Sequence, residues 1–395
     1  MLTKKNIFSR RLVGGYTMKK LEDYKSGNYI KVDDYKPFIP SLINVDWIWN
    51  DSKLNTLLSK ANLELGILDG YASQIPNIDI FIQMHVKVEA NKSSRIEGTR
   101  TTIDEDLSDI VDINPERRDD WQEVKNYVDA VNYGFKRIKE IPISSRLIKE
   151  LHAILLKGVR GEHKNPGEYR KSQNWIGGSK PSNAVYVPPI PSEIYNLISD
   201  LEKFINSDSI NTPDLVKIAI IHYQFESIHP FLDGNGRTGR ILIPLYLMEK
   251  KLITKPYFYI SDYIEKNKNE YYDYLTKVRT NNDMISWIKF FLEATIETAK
   301  NARIKFQKVV EFTAEMNKVA LTLGVRPENA MKVIEVLYQE PIINRKKLLA
   351  LSGLKETTLK TVINSMVMTG LLTEITGYSR NQAFAFERYI NLFRD

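Results

Sequence analysis

Cysteine is absent from all 395 residues, which excludes disulfides and thiolate-ligated zinc or iron–sulfur centres and fits a reducing cytoplasm. Histidine is scarce, at five residues, and none of them sits in the H-E-x-x-H frame of a zinc hydrolase. No stretch approaches the ~18 consecutive apolar residues of a membrane-spanning helix, so no membrane partner is expected. The N-terminus is basic at Lys4, Lys5, Arg10 and Arg11 but lacks the apolar core and small-residue cleavage site of a signal peptide. Residues 1–17 therefore read as a disordered arm, or as an extension ahead of a first residue at Met18. No internal repeat or low-complexity tract interrupts the chain.

What is present is an ordinary globular composition, 43% hydrophobic, on a chain longer than the ~250–300 residues one core serves, so two or more domains are expected. The basic excess of +7 is spread along the sequence. It reads as a solvated surface plus an anion site, with DNA as a weaker option for one region below.

The chemistry concentrates in His229-Pro230-Phe231-Leu232-Asp233-Gly234-Asn235-Gly236-Arg237-Thr238-Gly239-Arg240, followed by the apolar run Ile241-Leu242-Ile243. Glycines at 234, 236 and 239 let backbone N–H groups approach an anion at what reads as a helix start. Arg237 and Arg240, three apart, reach one face of its first turn, and guanidiniums suit phosphate oxygens. Asp233 can hold a divalent cation that bridges phosphates, and His229 can take and return a proton near neutral pH. Other readings fail on spacing. A P-loop requires a lysine where this chain has arginines, and an EF-hand starting at Asp233 requires a glutamate where Pro244 stands. The bland alternative is a glycine-rich turn with surface arginines.

These twelve residues match, without a departure, the motif H-[PA]-F-x-[DE]-G-N-G-R-x-x-R, and the chain so resembles the Fic family, mostly adenylyltransferases that move AMP from ATP to a protein hydroxyl. The resemblance implies that His229 is the base, Phe231 a hydrophobic anchor and Asp233 the ligand of Mg2+. It implies that Gly234, Asn235 and Gly236 cradle the anion, with Gly239 beside them, and that Arg237 and Arg240 bind phosphates, Arg240 the γ-phosphate. Ser93-Ser94-Arg95-Ile96-Glu97-Gly98 resembles the family's inhibitory motif [ST]-x-x-x-E-[GN], so Ser93, Glu97 and Gly98 are expected to form a brake on Arg240.

Helical periodicity predicts a mainly α fold. One helix runs from about Leu54, a second opens at Asn77 and is stopped by Gly98, and Thr102-Ile103-Asp104-Glu105 has the form of a capping box. Helices follow at about Trp121–Lys139, from Ser144-Ser145 to Lys157, from a Ser192 cap to Asn206, and from Thr212-Pro213 to the motif. Between Gly158 and Pro191 the helical period vanishes. There Trp175, Ile176, Gly177 and Gly178, with Tyr186, Val187 and Pro188, read as a β-hairpin, which by the resemblance is a flap that docks the target polypeptide by strand addition. Gly324-Val325-Arg326-Pro327 marks a boundary, and beyond it three short helices and two apolar strands resemble a winged helix-turn-helix. Its cations include Lys355, Lys360 and, on the wing, Arg380. DNA contact, homodimer formation and target recruitment all remain open for it.

The expected organisation is an N-terminal arm and leading segment (1–50), a helical region with the inhibitory helix (51–120), a Fic catalytic core (121–324) and a winged-helix domain (325–395). The expected activity is AMP transfer from Mg-ATP to a Ser, Thr or Tyr hydroxyl on a protein target. Two alternatives use the same parts: another phosphate transfer or AMP removal, and a DNA-binding regulator whose Fic core senses nucleotide. An intact His229 argues against pure sensing. His85, His152, His163 and His222 read as core or surface histidines, and the tryptophans as packing.

Overall fold

The structure, a computed structural model, describes residues 12–13, 16–75, 77–378 and 381–394. The basic residues at 4, 5, 10 and 11 and the wing cation at 380 lie outside them.

The leading segment is strand-rich. Leu12–Val13 (β1) pairs antiparallel with Tyr16–Lys20 (β2), which runs parallel to Asp46–Ile48 (β5), while Gly27–Tyr29 (β3) pairs antiparallel with Phe38–Pro40 (β4). These strands are too short for alternation to register in sequence. They are nonetheless fixed to the body: Leu21, Tyr24, Ile43 and Trp47 are buried, and Trp47 N–H donates to Thr212 at 2.8 Å.

The helical body starts at Ser52–Ala72 (α1), capped by Asp51, whose side chain accepts from Leu54 N–H at 2.8 Å. Ile78–Ile96 (α2) leads through Ile103–Leu107 (α3) to Arg118–Arg137 (α4) and Ser145–Leu155 (α5). After the irregular stretch come Ile194–Asn206 (α6), Asp214–Ile228 (α7) and Asn235–Glu249 (α8). Ser261–Lys266 (α9), Lys268–Asn281 (α10) and the 39-residue Met284–Thr322 (α11) complete it. α7 is buried at 13 of its 15 positions, so it forms the central post and the amphipathic helices pack round it.

Local signals held where they were strongest. Thr102 and Glu105 form a reciprocal capping box, and Gly98 follows α2 at φ 103°. Asn77 precedes α2 but makes no side-chain cap. The Ser192 cap is replaced by a 3-10 turn, Pro191–Glu193, that runs directly into α6. Thr212 Oγ1 donates to Asp46 instead of capping, and Pro213 stands at the cap of α7.

The expected hairpin is reduced to one antiparallel bridge, Ile176 with Tyr186. Gly177 and Gly178, at φ 70° and 72°, turn the chain out of extended geometry, and a 3-10 turn at Pro181–Asn183 fills the tip. The C-terminal part comprises Pro327–Gln339 (α12), Ile342–Asn344 (β6), Arg345–Ser352 (α13), Glu356–Met368 (α14), Thr373–Glu374 (β7), Ala383–Ala385 (β8) and Glu387–Ile390 (α15). Its strands form an antiparallel sheet in the order β6-β8-β7. It packs on α2: Tyr338 stacks edge-on against Phe81 at 5.6 Å, and Lys87 donates to the Gln339 carbonyl at 3.0 Å.

Candidate active site

α7 ends one residue before His229, which adopts the left-handed region at φ 49°, ψ 59° and reverses the chain. The loop that follows is closed by Asn235, buried, whose side-chain amide accepts from Phe231 N–H at 2.8 Å and donates to the Phe231 carbonyl at 2.9 Å. Its side chain is thus a staple of the loop, and only its backbone is oriented by the helix start. Phe231 is fully buried and stacks on His152 at 3.7 Å. His152 Nδ1 accepts from Gly167 N–H at 2.9 Å, so Nε2–H donates to the Asp233 carbonyl at 2.9 Å. Burial holds this imidazole neutral, down to about 4. His152 is therefore a support of the loop, and its only signal in sequence is a polar residue on the apolar stripe of α5.

Gly234 (φ 72°) starts α8, whose first-turn N–H groups have no partner within the helix and face the loop. Arg237 is buried and donates to Glu123 of α4 at 2.9 Å, with Asp233 3.5 Å away. Arg240, almost fully buried, is held by α2 and the residue after it. Its Nε donates to Ser93 Oγ at 2.7 Å, and its Nη2 donates to the Ser93 carbonyl at 2.9 Å and to Glu97 Oε1 at 2.6 Å. A Cβ on Gly236 would stand 2.2 Å from Glu97 Oε1, so glycine there makes room for that carboxylate. Burial raises the Glu97 pKa, but the Arg240 charge and hydrogen bond outweigh it and hold the carboxyl below its ordinary value.

Arg240, Glu97, Gly236 and His229 face a cavity of about 420 Å³, within the range of small-ligand sites. Ile176, Gly177, Val185 and Tyr186 close one side and α10 the other, through Tyr271, Tyr272, Leu275 and Arg279. Asp233 and Arg237 lie outside its lining. Of the flap residues, Tyr186, Val187 and Pro188 are buried, Tyr186 OH donating to the Ser227 carbonyl at 2.5 Å and the Val187 carbonyl accepting from Phe38 N–H at 2.9 Å. The carbonyls of all three are taken within the chain, that of Tyr186 by Ile176 N–H and that of Pro188 by the Gln173 amide. The accessible flap includes Trp175, Ile176, Gly177, Gly178 and Val185, with Val185 76% exposed.

With this geometry in view, residues 55–136 match the Fic/DOC family N-terminal profile and residues 142–247 the Fic/DOC family profile. The chain carries Fic/DOC domains. Its sequence is similar to that of a protein adenylyltransferase Fic of Drosophila erecta, 32% identical over 165 residues, and to the one of Drosophila melanogaster, 30% identical over 162. Each match covers 41% of this chain and 30% of the relative, so the chain spans under a third of these relatives. In fold, it is similar to a Fic family protein from Desulfovibrio desulfuricans (TM-score 0.54, 20% identity, covering 85% of this chain and 96% of the other). A Fic domain containing signaling protein from Bacteroides thetaiotaomicron aligns with a TM-score of 0.50 and 20% identity over 64% of this chain and 96% of the other.

Several residues that shape the Fic cavity carry no motif signal. Tyr271, Tyr272, Leu275 and Arg279 share a face of α10 by their spacing, but spacing alone does not mark a site wall. His222 on α7 lies between the Gly239 carbonyl (3.3 Å) and Tyr271 OH (2.9 Å), tying α8 to α10. Glu226 lines the cavity, with Oε1 buried and unpartnered among the described residues. A Cβ on Gly239 would stand 2.3 Å from that oxygen. No helix among the described residues is long and apolar enough to cross a membrane.

Proposed function

We propose that this Fic chain is a protein adenylyltransferase, moving AMP from Mg-ATP to a protein hydroxyl, with Glu97 as an internal brake. The observation that carries the reading is one cavity in which His229, Arg240 and the start of α8 face an exposed flap edge. That arrangement suits a triphosphate at one wall and a hydroxyl at the other. The relatives named protein adenylyltransferase support the reaction class.

In the proposed reaction, His229 Nδ1–H donates to the Glu226 carbonyl at 3.3 Å, which leaves Nε2 as the basic atom. Burial first, and the nearby Arg170 cation second, push its pKa down to about 4, so the free imidazole is neutral at pH 7. It takes the proton as the target oxygen bonds to the α-phosphorus and the bond to pyrophosphate breaks. The N–H groups at the start of α8 and the guanidinium of Arg240 hold phosphate oxygens, so positioning and electrostatics carry most of the acceleration.

Among the described residues no three His, Asp or Glu side chains form a ready metal cage. Asp233 is a half-exposed carboxylate at the head of the phosphate loop. Magnesium is commonly held by one or two carboxylates plus substrate phosphates, so this donor fits an ion that arrives with the nucleotide. When bound, the ion would neutralise phosphate charge.

Glu97 holds the guanidinium that the γ-phosphate needs, and a displacement of ~1 Å is enough to cost about a hundredfold in rate. Incubating Glu97→Gly protein with α- or γ-labelled Mg-ATP and a cell lysate tests the reading. Retained α label, absent from the Glu97→Gly, His229→Ala double variant, is the expected result, with transfer ~10²-fold above that of the unaltered chain. Retained γ label instead would mean phosphoryl transfer. Unchanged transfer by folded Glu97→Gly protein would sink the brake.

A further inference from the structure

Arg170 lies upstream of the flap, 59 residues before His229, and is 2% exposed. A buried guanidinium ordinarily has a carboxylate partner. Among the described residues Arg170 has none, and all of its side-chain acceptors are backbone carbonyls. Nε donates to the His229 carbonyl at 3.0 Å, Nη2 to those of Pro189 at 2.5 Å and Ile228 at 3.4 Å, and Nη1 to that of Ser172 at 3.4 Å. Its own N–H donates to the Pro230 carbonyl at 2.9 Å. One residue thus grips the carbonyls before, at and after the catalytic histidine, and also both strands of chain at the base of the flap. Asn174 adds a contact to the Phe231 carbonyl at 2.9 Å.

His229 needs such a grip. It is a non-glycine residue in the left-handed region, a conformation that persists only where surrounding structure enforces it. We infer that Arg170 is a positioning residue for the transfer reaction: it holds the His229 backbone in its left-handed turn and locks the flap base to the catalytic loop. The role rests on His229 being the base of the proposed reaction. Arg170 alone supplies both fan-shaped donors and a positive charge here, and only the fan is lost in lysine.

Around the imidazole stand Arg170 from below the flap, Glu97 after α2, Asp233 in the loop, and, lining the cavity, Arg240, Glu226 and the α10 residues Tyr271, Tyr272 and Arg279. Glu97, Asp233 and the Glu226 carbonyl raise its pKa, whereas burial and Arg170 lower it to about 4. Removing the Arg170 charge therefore moves the titration upward, towards the ordinary histidine value. Replacing it by lysine keeps the charge and leaves the titration low.

The test compares Arg170→Gln and Arg170→Lys in the Glu97→Gly background, reading kcat for AMP transfer against pH, the Kd for ATP, and the NMR titration of the His229 ring. Both variants should lower kcat by about ten- to a hundredfold, the cost of a loosened catalytic group, with ATP affinity within about twofold. The glutamine variant alone should shift the acid limb and the ring titration upward. A purely structural role moves neither. Wild-type kcat and an unshifted ring titration in folded Arg170→Gln protein overturn the inference. Should that variant not fold, wild-type kcat in Arg170→Lys overturns it. The ring titration needs no turnover, so a shifted titration in a protein without AMP transfer sinks the transfer reading and leaves the electrostatic role of Arg170 standing.

Discussion

Glu226 is a carboxyl on the wall of a cavity read as a triphosphate site, where an anion is unwelcome. Burial pushes its pKa up to about 8, Arg240 opposes the shift, and the Glu97 charge adds to it. Below that value the group is neutral and tolerates phosphate; above it, a second carboxylate stands beside the nucleotide. The Kd for ATP should therefore be flat through neutral pH and rise up to tenfold for each pH unit above about 8, the limb vanishing in Glu226→Gln. In Glu97→Gly the limb should move to lower pH, because a neighbouring negative charge is gone and Arg240 is left to favour ionisation. Calorimetric titration across pH 6.5–9.5, a window of roughly three units around the shifted value, checks this; a pH-independent Kd in all three proteins would refute it. Nothing in the sequence disclosed this role. Glu226 precedes the motif by three residues, and its significance comes from Gly239, whose missing side chain leaves its carboxyl room.

At the scale of elements, the helices and their capping were largely legible, because caps are local: Thr102, Glu105 and Gly98 act through neighbours a few residues away. Strands of two to five residues in the leading segment were not, since they are too short for alternation to develop and β2 finds its parallel partner β5 only beyond β3 and β4. The flap was legible as an irregular excursion but not as to which residues it exposes. That depends on Phe38 of β4 occupying the Val187 carbonyl, a contact 149 residues away. Trp175, 40% exposed and outside the cavity lining, becomes the better docking candidate. Exposed tryptophans commonly anchor interfaces at about 2 kcal/mol, or ~30-fold, so Trp175→Ala should lower kcat/KM for a protein target by that order while leaving ATP affinity within about twofold. Equal losses in both would argue that the flap edge shapes the nucleotide site instead of receiving a target.

At the scale of the whole molecule, α2 joins regions that the sequence divides. One end carries Ser93 and Glu97 to Arg240, and along its length it packs on the C-terminal part. His85 of α2 lies between Phe306 of α11 at 4.8 Å and Phe393 at 5.5 Å, and Arg394 pairs with Asp104 just beyond the helix. The part beyond Gly324 thus packs on α2, and cutting there would bare the outer face of that helix. A 19-residue helix is about 28 Å long and stiff, so a change in its seating at Phe393 should shift Glu97 and alter how well the carboxylate meets the guanidinium. Phe393→Leu, a mild change at a buried ring, should weaken that seating without removing the contact. Mutations along such a connection typically alter coupling by about 0.5–2 kcal/mol, so AMP transfer by the otherwise unaltered chain should rise roughly 2- to 30-fold. In the Glu97→Gly background the same change should do nothing, because no brake remains to loosen. The double-mutant cycle on kcat reads that difference directly, and equal effects in both backgrounds would mean that the C-terminal part acts on the site by a route that bypasses Glu97.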